Sequence, residues 1–132
     1  MKKHIPKYGE KIKWVNYRTG LNSILFKIEA NKKSSSICID IVSSDLGVRE
    51  VLFEQFEELN LLLSKKMDRL IWEKNYRIES GVYISRIYTE LIGPSINKES
   101  EWGDIYLFFE KNLVALHDFW EMSQEIFKDL DN

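Results

Sequence analysis

This chain is poor in the residues that usually announce chemistry. Its one cysteine, Cys38, cannot form an internal disulfide, which fits a reducing compartment and leads us to expect a cytoplasmic protein. Its two histidines, His4 and His117, stand at no metal-ligand spacing from each other or from Cys38, so no metal is expected. No apolar run approaches the roughly 18 residues that would cross a bilayer, which argues against a membrane partner. The opening run Met1-Lys2-Lys3-His4-Ile5-Pro6-Lys7 is basic but lacks the apolar stretch of a secretory signal. A Gly-x-Ser-x-Gly elbow, a phosphate-binding glycine loop and a dinucleotide fingerprint are all missing. These absences indicate neither a catalytic residue nor a cofactor.

What is present suits a globular domain with a single core. The 132 residues are 44% hydrophobic and 30% charged, enough for one domain over 1–132. Net charge is −2, unevenly spread: Lys2, Lys3, Lys7, Lys11, Lys13 and Arg18 face Glu10 alone in residues 1–20. Such a basic arm on an acidic body suits contact with nucleic acid or another polyanion. It equally suits a solvated terminus that keeps the protein soluble.

Beyond the arm, one order of elements occurs twice, a β-hairpin followed by a long amphipathic helix, over 21–66 and again over 67–132. In the first hairpin a loop around Asn31–Ser34 sets Ile28 opposite Ile37, Phe26 opposite Ile39 and Ile24 opposite Ile41. All six are apolar and share one face, and a slip of one residue would break every pair. Leu25, Lys27, Glu29, Cys38, Asp40 and Val42 form a mixed opposite face. In the second hairpin, Leu70–Glu79 against Val82–Leu91, a two-residue turn at Ser80-Gly81 sets Tyr76 opposite Ser85 and Arg77 opposite Ile84. A bulge would change these pairs. The segment Lys11–Thr19 is a short strand or an extended arm, and Trp14 and Tyr17 are placed to cover the outer sheet face if the arm folds over it.

The first helix, about Leu46–Lys66, has an apolar stripe of Val48, Leu52, Phe56, Leu59 and Leu63 behind a cap from Ser43, Ser44 or Asp45. The second, about Glu101–Leu130, carries Ile105, Phe109, Leu113, Leu116, Trp120 and Phe127 after a cap from Asn97 or Ser100. His117 flanks this stripe and reads as the edge of the core. The expected fold is α+β: hairpin-helix-hairpin-helix, an antiparallel-rich four-stranded sheet with two long helices packed on one face.

The candidate surface is the outer face of the second hairpin, where Arg77, Arg86 and Tyr88 converge. Arginine and tyrosine offer broad contact area and directional hydrogen bonds at binding surfaces, and on a sheet they suit single-stranded nucleic acid. With Lys11, Lys13 and Arg18 of the arm, these are the candidate binding residues. A solvated sheet face held by cross-strand pairs fits the same pattern. A homodimer or protein-interaction domain would use Leu25, Val42, Ile71 and Ile84 as its seam. A small metal-dependent nuclease or hydrolase would use Glu29 or Asp40.

Several runs resemble a bacterial family, domain of unknown function 4268. They are Trp14-Val15-Asn16-Tyr17-Arg18-Thr19-Gly20, Ile37-Cys38-Ile39-Asp40-Ile41, Leu52-Phe53-Glu54-Gln55-Phe56, Ser85-Arg86-Ile87-Tyr88, Glu101-Trp102 and Leu116-His117-Asp118-Phe119-Trp120. Their order and spacing across most of the chain carry the likeness. Larger relatives of this type place the domain after a nuclease-like region. The resemblance thus implies an association with nucleic-acid processing or defence, and it implies no catalytic residue here. The reading is a non-catalytic binding module for protein or nucleic acid.

Overall fold

The computed structural model describes the backbone of Ile12–Trp14 together with residues 19–130. In chain order the elements are β1 (Ile12–Trp14), β2 (Ile24–Ala30), β3 (Ser34–Ile41), α1 (Leu46–Glu58), α2 (Asn60–Lys66), β4 (Ile71–Arg77), β5 (Tyr83–Ile92) and α3 (Trp102–Leu130). A single 3-10 turn, Glu99–Glu101, leads into α3. The fold is α+β. Four strands of seven to ten residues form an antiparallel sheet. The four-stranded expectation gains a short edge, because Ile12–Trp14 pairs with Ile28–Ala30 and the order becomes β1-β2-β3-β5-β4.

The first hairpin has the register that its isoleucines demand, with Ile24 opposite Ile41, Phe26 opposite Ile39 and Ile28 opposite Ile37. Its turn is held by Asn31, whose Oδ1 accepts the N–H groups of Lys33 and Ser34 at 2.8 and 3.0 Å.

The second hairpin departs from the two-residue turn. Ile78 N–H donates to the Val82 carbonyl at 3.0 Å, so Glu79, Ser80 and Gly81 form a three-residue loop, with Gly81 at φ +91°. That extra residue slips the near-turn pairs by one, setting Tyr76 opposite Ile84 and Arg77 opposite Tyr83. A bulge between Glu73 and Tyr76 absorbs one more residue, so that Trp72 lies opposite Ile87 and Glu73 opposite Arg86. Side chains from two other elements tie it down. Ser85 donates to the Lys74 carbonyl at 2.6 Å, and Arg49 of α1 reaches Asn75 Oδ1 at 3.3 Å and the Tyr83 carbonyl at 2.9 Å.

The stretch read as one first helix is two. Asp45 caps α1 by accepting the Val48 N–H at 3.1 Å. At Leu59 the backbone leaves the helical region (ψ 14°), and the Asn60 side chain donates to the Glu57 carbonyl at 2.8 Å. An asparagine that bonds a nearby carbonyl in this way competes with the helical ladder. The entrance to α3 is tied by Glu101, which accepts the Ser95 N–H, and by the Trp102 indole, which donates to the Ile96 carbonyl, both at 2.9 Å.

The core fills the space between the helices and one sheet face. Ile24, Phe26, Ile37, Ile39, Ile41 and Ile87 from the sheet meet Leu52, Phe56, Leu63, Ile105, Phe109, Leu116, Phe119, Trp120 and Phe127. Phe26 stands edge-on to Trp120 with centroids 5.4 Å apart, and Phe56 lies 4.3 Å from Phe127. The Trp120 indole donates to the Thr19 carbonyl at 3.1 Å, while Thr19 Oγ1 donates to the Ile24 carbonyl at 2.8 Å. His117 is not at the core edge: its side chain is 52% exposed, with Nε2 3.8 Å from Glu121.

Phe56 is fully buried among these rings, so Phe56→Ala removes about 3–5 kcal/mol of stability, read as a lowered urea midpoint. Leu61→Ala, at a side chain 77% exposed, shifts the same midpoint by no more than about 0.5 kcal/mol.

Candidate functional site

The sheet face turned away from the helices carries charge that is out of water. Asp40 on β3 is fully buried and lies directly across from Arg86 on β5, itself only 4% exposed. The pair is bidentate: Arg86 donates from Nε to Asp40 Oδ1 at 2.7 Å and from Nη2 to Oδ2 at 2.9 Å. Lys27 on β2 places Nζ 3.1 Å from the same Oδ2, and Glu29 Oε1 lies 3.6 Å from Arg86 Nη1. Strand alternation puts Lys27, Glu29, Cys38, Asp40 and Arg86 on one face.

Tyr76 reaches this cluster because of the slipped register. Its ring lies 4.3 Å from Arg86 Cζ, a cation–π contact, and 6.3 Å from the Tyr88 ring. Arg86 is therefore held on its Nε edge by a carboxylate and on its flat face by an aromatic ring. Burial draws the Arg86 guanidinium toward deprotonation, but the hydrogen bonds and charge of Asp40 prevail and raise its pKa, so it is always charged.

Beside the cluster, at the turn end of the second hairpin, lies a cleft of about 710 Å³ lined by Lys27, Glu29, Tyr76, Arg77, Ile78, Glu79, Ser80 and Arg86. Arg77 and Arg86 do meet at one site, though not by the pairing the sequence suggested. Arg77 is opposite Tyr83, is exposed, and rests its guanidinium against Gly81, where an added Cβ would lie 3.4 Å from Nη2. Tyr88 does not line the cleft. It stands between Cys38 and Ile71, half-buried, with its hydroxyl bonded to Glu73. Lys11 and Arg18 lie outside the described residues, as does Tyr17, and Lys13 is described only through its backbone pairing with Glu29.

The metal-site alternative does not fit this geometry. Glu29 and Asp40 do come together, but around a guanidinium and an ammonium, and both Asp40 oxygens are already taken by those cations. Among the described residues no group of three His, Cys, Asp or Glu side chains could hold a metal. Of the residues expected to form an apolar seam, Ile84 is buried at 2% exposure, Leu25 and Val42 are half-buried, and Ile71 is 36% exposed. Sequence reasoning missed Lys27 and Tyr76 as site residues, and named Glu29 and Asp40 only as carboxylates for a metal. Their signal was the opposite-sign pair Asp40 and Arg86, which becomes legible only once β3 is known to pair with β5.

Two protons are held unusually tightly here. Burial pushes the Cys38 thiol from 9.0 up to about 12, with Asp40 adding to the rise and Arg86 opposing it. Burial also raises the Tyr88 hydroxyl from 10.0 to about 12, helped by the charge and hydrogen bond of Glu73. The unfolded chain releases these protons near pH 9 and 10, the folded one near 12, so the native state binds more protons between. The stability these groups supply is intact below pH 9 and declines as pH rises toward 12. Urea midpoints taken from pH 8 to 11 should fall, and a Cys38→Ala, Tyr88→Phe double variant should flatten that fall.

The ion pair yields a further expectation. Arg86→Met removes both guanidinium hydrogen bonds from the buried Asp40 carboxylate, leaves it Lys27 alone, and costs about 3–5 kcal/mol. Replacing both partners, Asp40→Leu with Arg86→Met, costs less than the single change. Thermal or urea unfolding of the two variants and Asp40→Leu completes the cycle.

The structure thus defines an α+β domain whose sheet has one face in the core and an ionic cluster on the other. The chain belongs to the family described as Domain of unknown function (DUF4268), whose model matches residues 1–124. No curated protein and no solved structure matches it. Among the described residues no helix is long and apolar enough to cross a membrane.

Proposed function

We propose that this domain is a non-catalytic binding module that holds single-stranded nucleic acid at the cleft beside Arg86, in the service of nucleic-acid processing or defence. One observation carries the reading: a nearly buried arginine, locked by Asp40 and Tyr76, lines a cleft that also carries Lys27 and Arg77. A guanidinium fixed before binding loses little freedom when it meets an anion. The basic arm, Lys11, Lys13 and Arg18, supplies the longer-range attraction for the strand.

Fluorescence anisotropy with labelled single-stranded DNA and RNA at two salt concentrations tests this. Binding at low salt should weaken as salt rises, with a log–log slope of about −0.7 for each phosphate contacted. The triple change Lys11→Ala, Lys13→Ala, Arg18→Ala should make that slope shallower. Failure of both strands to bind at low salt overturns the proposal.

A further inference from the structure

We infer that the solvent side of α3 is a docking face for a basic amphipathic helix of another protein. One side of this 29-residue helix is committed to the core through Ile105, Phe109, Leu116, Phe119, Trp120 and Phe127. The other side carries Leu107, Val114 and Met122, which the folded chain leaves 66%, 61% and 64% exposed. They recur at steps of seven and eight residues, so they fall on one line along the helix, about two turns apart. Ile126, 42% exposed, lies one turn beyond Met122 and extends the row to about 28 Å. Single apolar side chains scattered on a surface need no explanation, but a row in step with the helix does.

Period and charge select the occupant. Steps of seven and eight match a second helix lying along α3, whose own apolar side chains return every two turns. An extended strand, with period two and about 3.3 Å per residue, falls out of step with such a row. Asp104, Asp118, Glu121, Glu125 and Asp129 share the exposed side with Lys111. Lys111 is paired with Asp68 at 3.3 Å, Glu125 with Lys128 at 3.5 Å, and Glu121 stands 3.8 Å from His117. Glu110 has a partner of its own and is left out of the balance. With the other partners counted in, six carboxylates stand against two lysines, and a protonated His117 still leaves three negative charges in excess. That sign repels nucleic acid and an anionic bilayer, and it opposes a second copy of the same face. A helix with lysine or arginine beside its apolar row meets it with the opposite charge. The helical layer and the ionic cluster lie on opposite sides of the sheet, so this face and the cleft beside Arg86 can be occupied together.

The test uses three synthetic peptides. One is a helix with leucines along one face and lysines elsewhere, the second has the same residues in scrambled order, and the third keeps the leucine face but replaces lysine by glutamate. Each is titrated by NMR into the isotope-labelled full chain at low and at physiological salt. The leucine–lysine helix should bind about tenfold more tightly than the other two and shift the amide signals of Leu107, Val114 and Met122. The double change Leu107→Gln, Met122→Gln should weaken it about tenfold, because two apolar contacts are lost at side chains too exposed to unsettle the fold. Asp118→Lys should weaken it as well, and so should added salt. Ile92→Gln, at a side chain 68% exposed on β5, should leave it unchanged. Failure of the leucine–lysine helix to bind at low salt overturns the inference. Equal binding of the scrambled peptide, or binding that ignores the double change at Leu107 and Met122, overturns it too. So does sedimentation in which the free protein is a dimer that the same double change returns to a monomer, since a second copy would then be the occupant.

Discussion

The bidentate pair between Asp40 and Arg86 is the constraint around which the outer half of this domain is arranged. Two charges withdrawn from water on the central strands are tolerable only when each satisfies the other's hydrogen bonds. The pair does so at 2.7 and 2.9 Å, and Lys27 fills the remaining need of the carboxylate. Its main effect is on specificity. A one-residue slip between β3 and β5 would carry Arg86 or Asp40 onto the helix-facing side, among Ile39, Ile87 and their neighbours. The register of the strand junction is therefore guarded on both faces, by isoleucines on one and by opposite charges on the other.

The two layers are also joined mechanically. Arg49 belongs to α1 in the helical layer, yet its guanidinium holds Asn75 and the Tyr83 carbonyl on either side of the second hairpin. That grip sits at the bulge, and the bulge and the three-residue turn together bring Tyr76 over Arg86. A residue of the first helix thus helps to shape a site on the opposite face of the sheet. The intervening steps are all fixed contacts: Arg49 to Asn75, Ser85 to Lys74, and Tyr76 to Arg86.

Much of this was legible in the sequence, and the illegible part has physical causes. The first hairpin could be registered residue by residue, because its isoleucines alternate and a slip would expose them all. The stripes of α1 and α3 were equally clear from their spacing. The break at Leu59 was not, since apolar periodicity runs straight through it and only the Asn60 side chain marks it. The bulge in β4 was hidden because its anchor, Arg49, comes from another element. The site was half visible. Arg86 and Arg77 stood out as arginines on a hairpin, but the partner that turns Arg86 into a buried, oriented group lies 46 residues away on a strand whose neighbour no local pattern declares.

The bulge has one more consequence, for the rim of the sheet. β4 is an edge strand, and edges offer rows of unpaired backbone groups to any passing strand. Here the row is interrupted in its middle by the bulge, where exposed Lys74 and Asn75 stand. An incoming strand would find only two short stretches out of step with each other. The same local irregularity that aims Tyr76 inward also ends the sheet, and it gives the folded chain a built-in resistance to strand-by-strand aggregation.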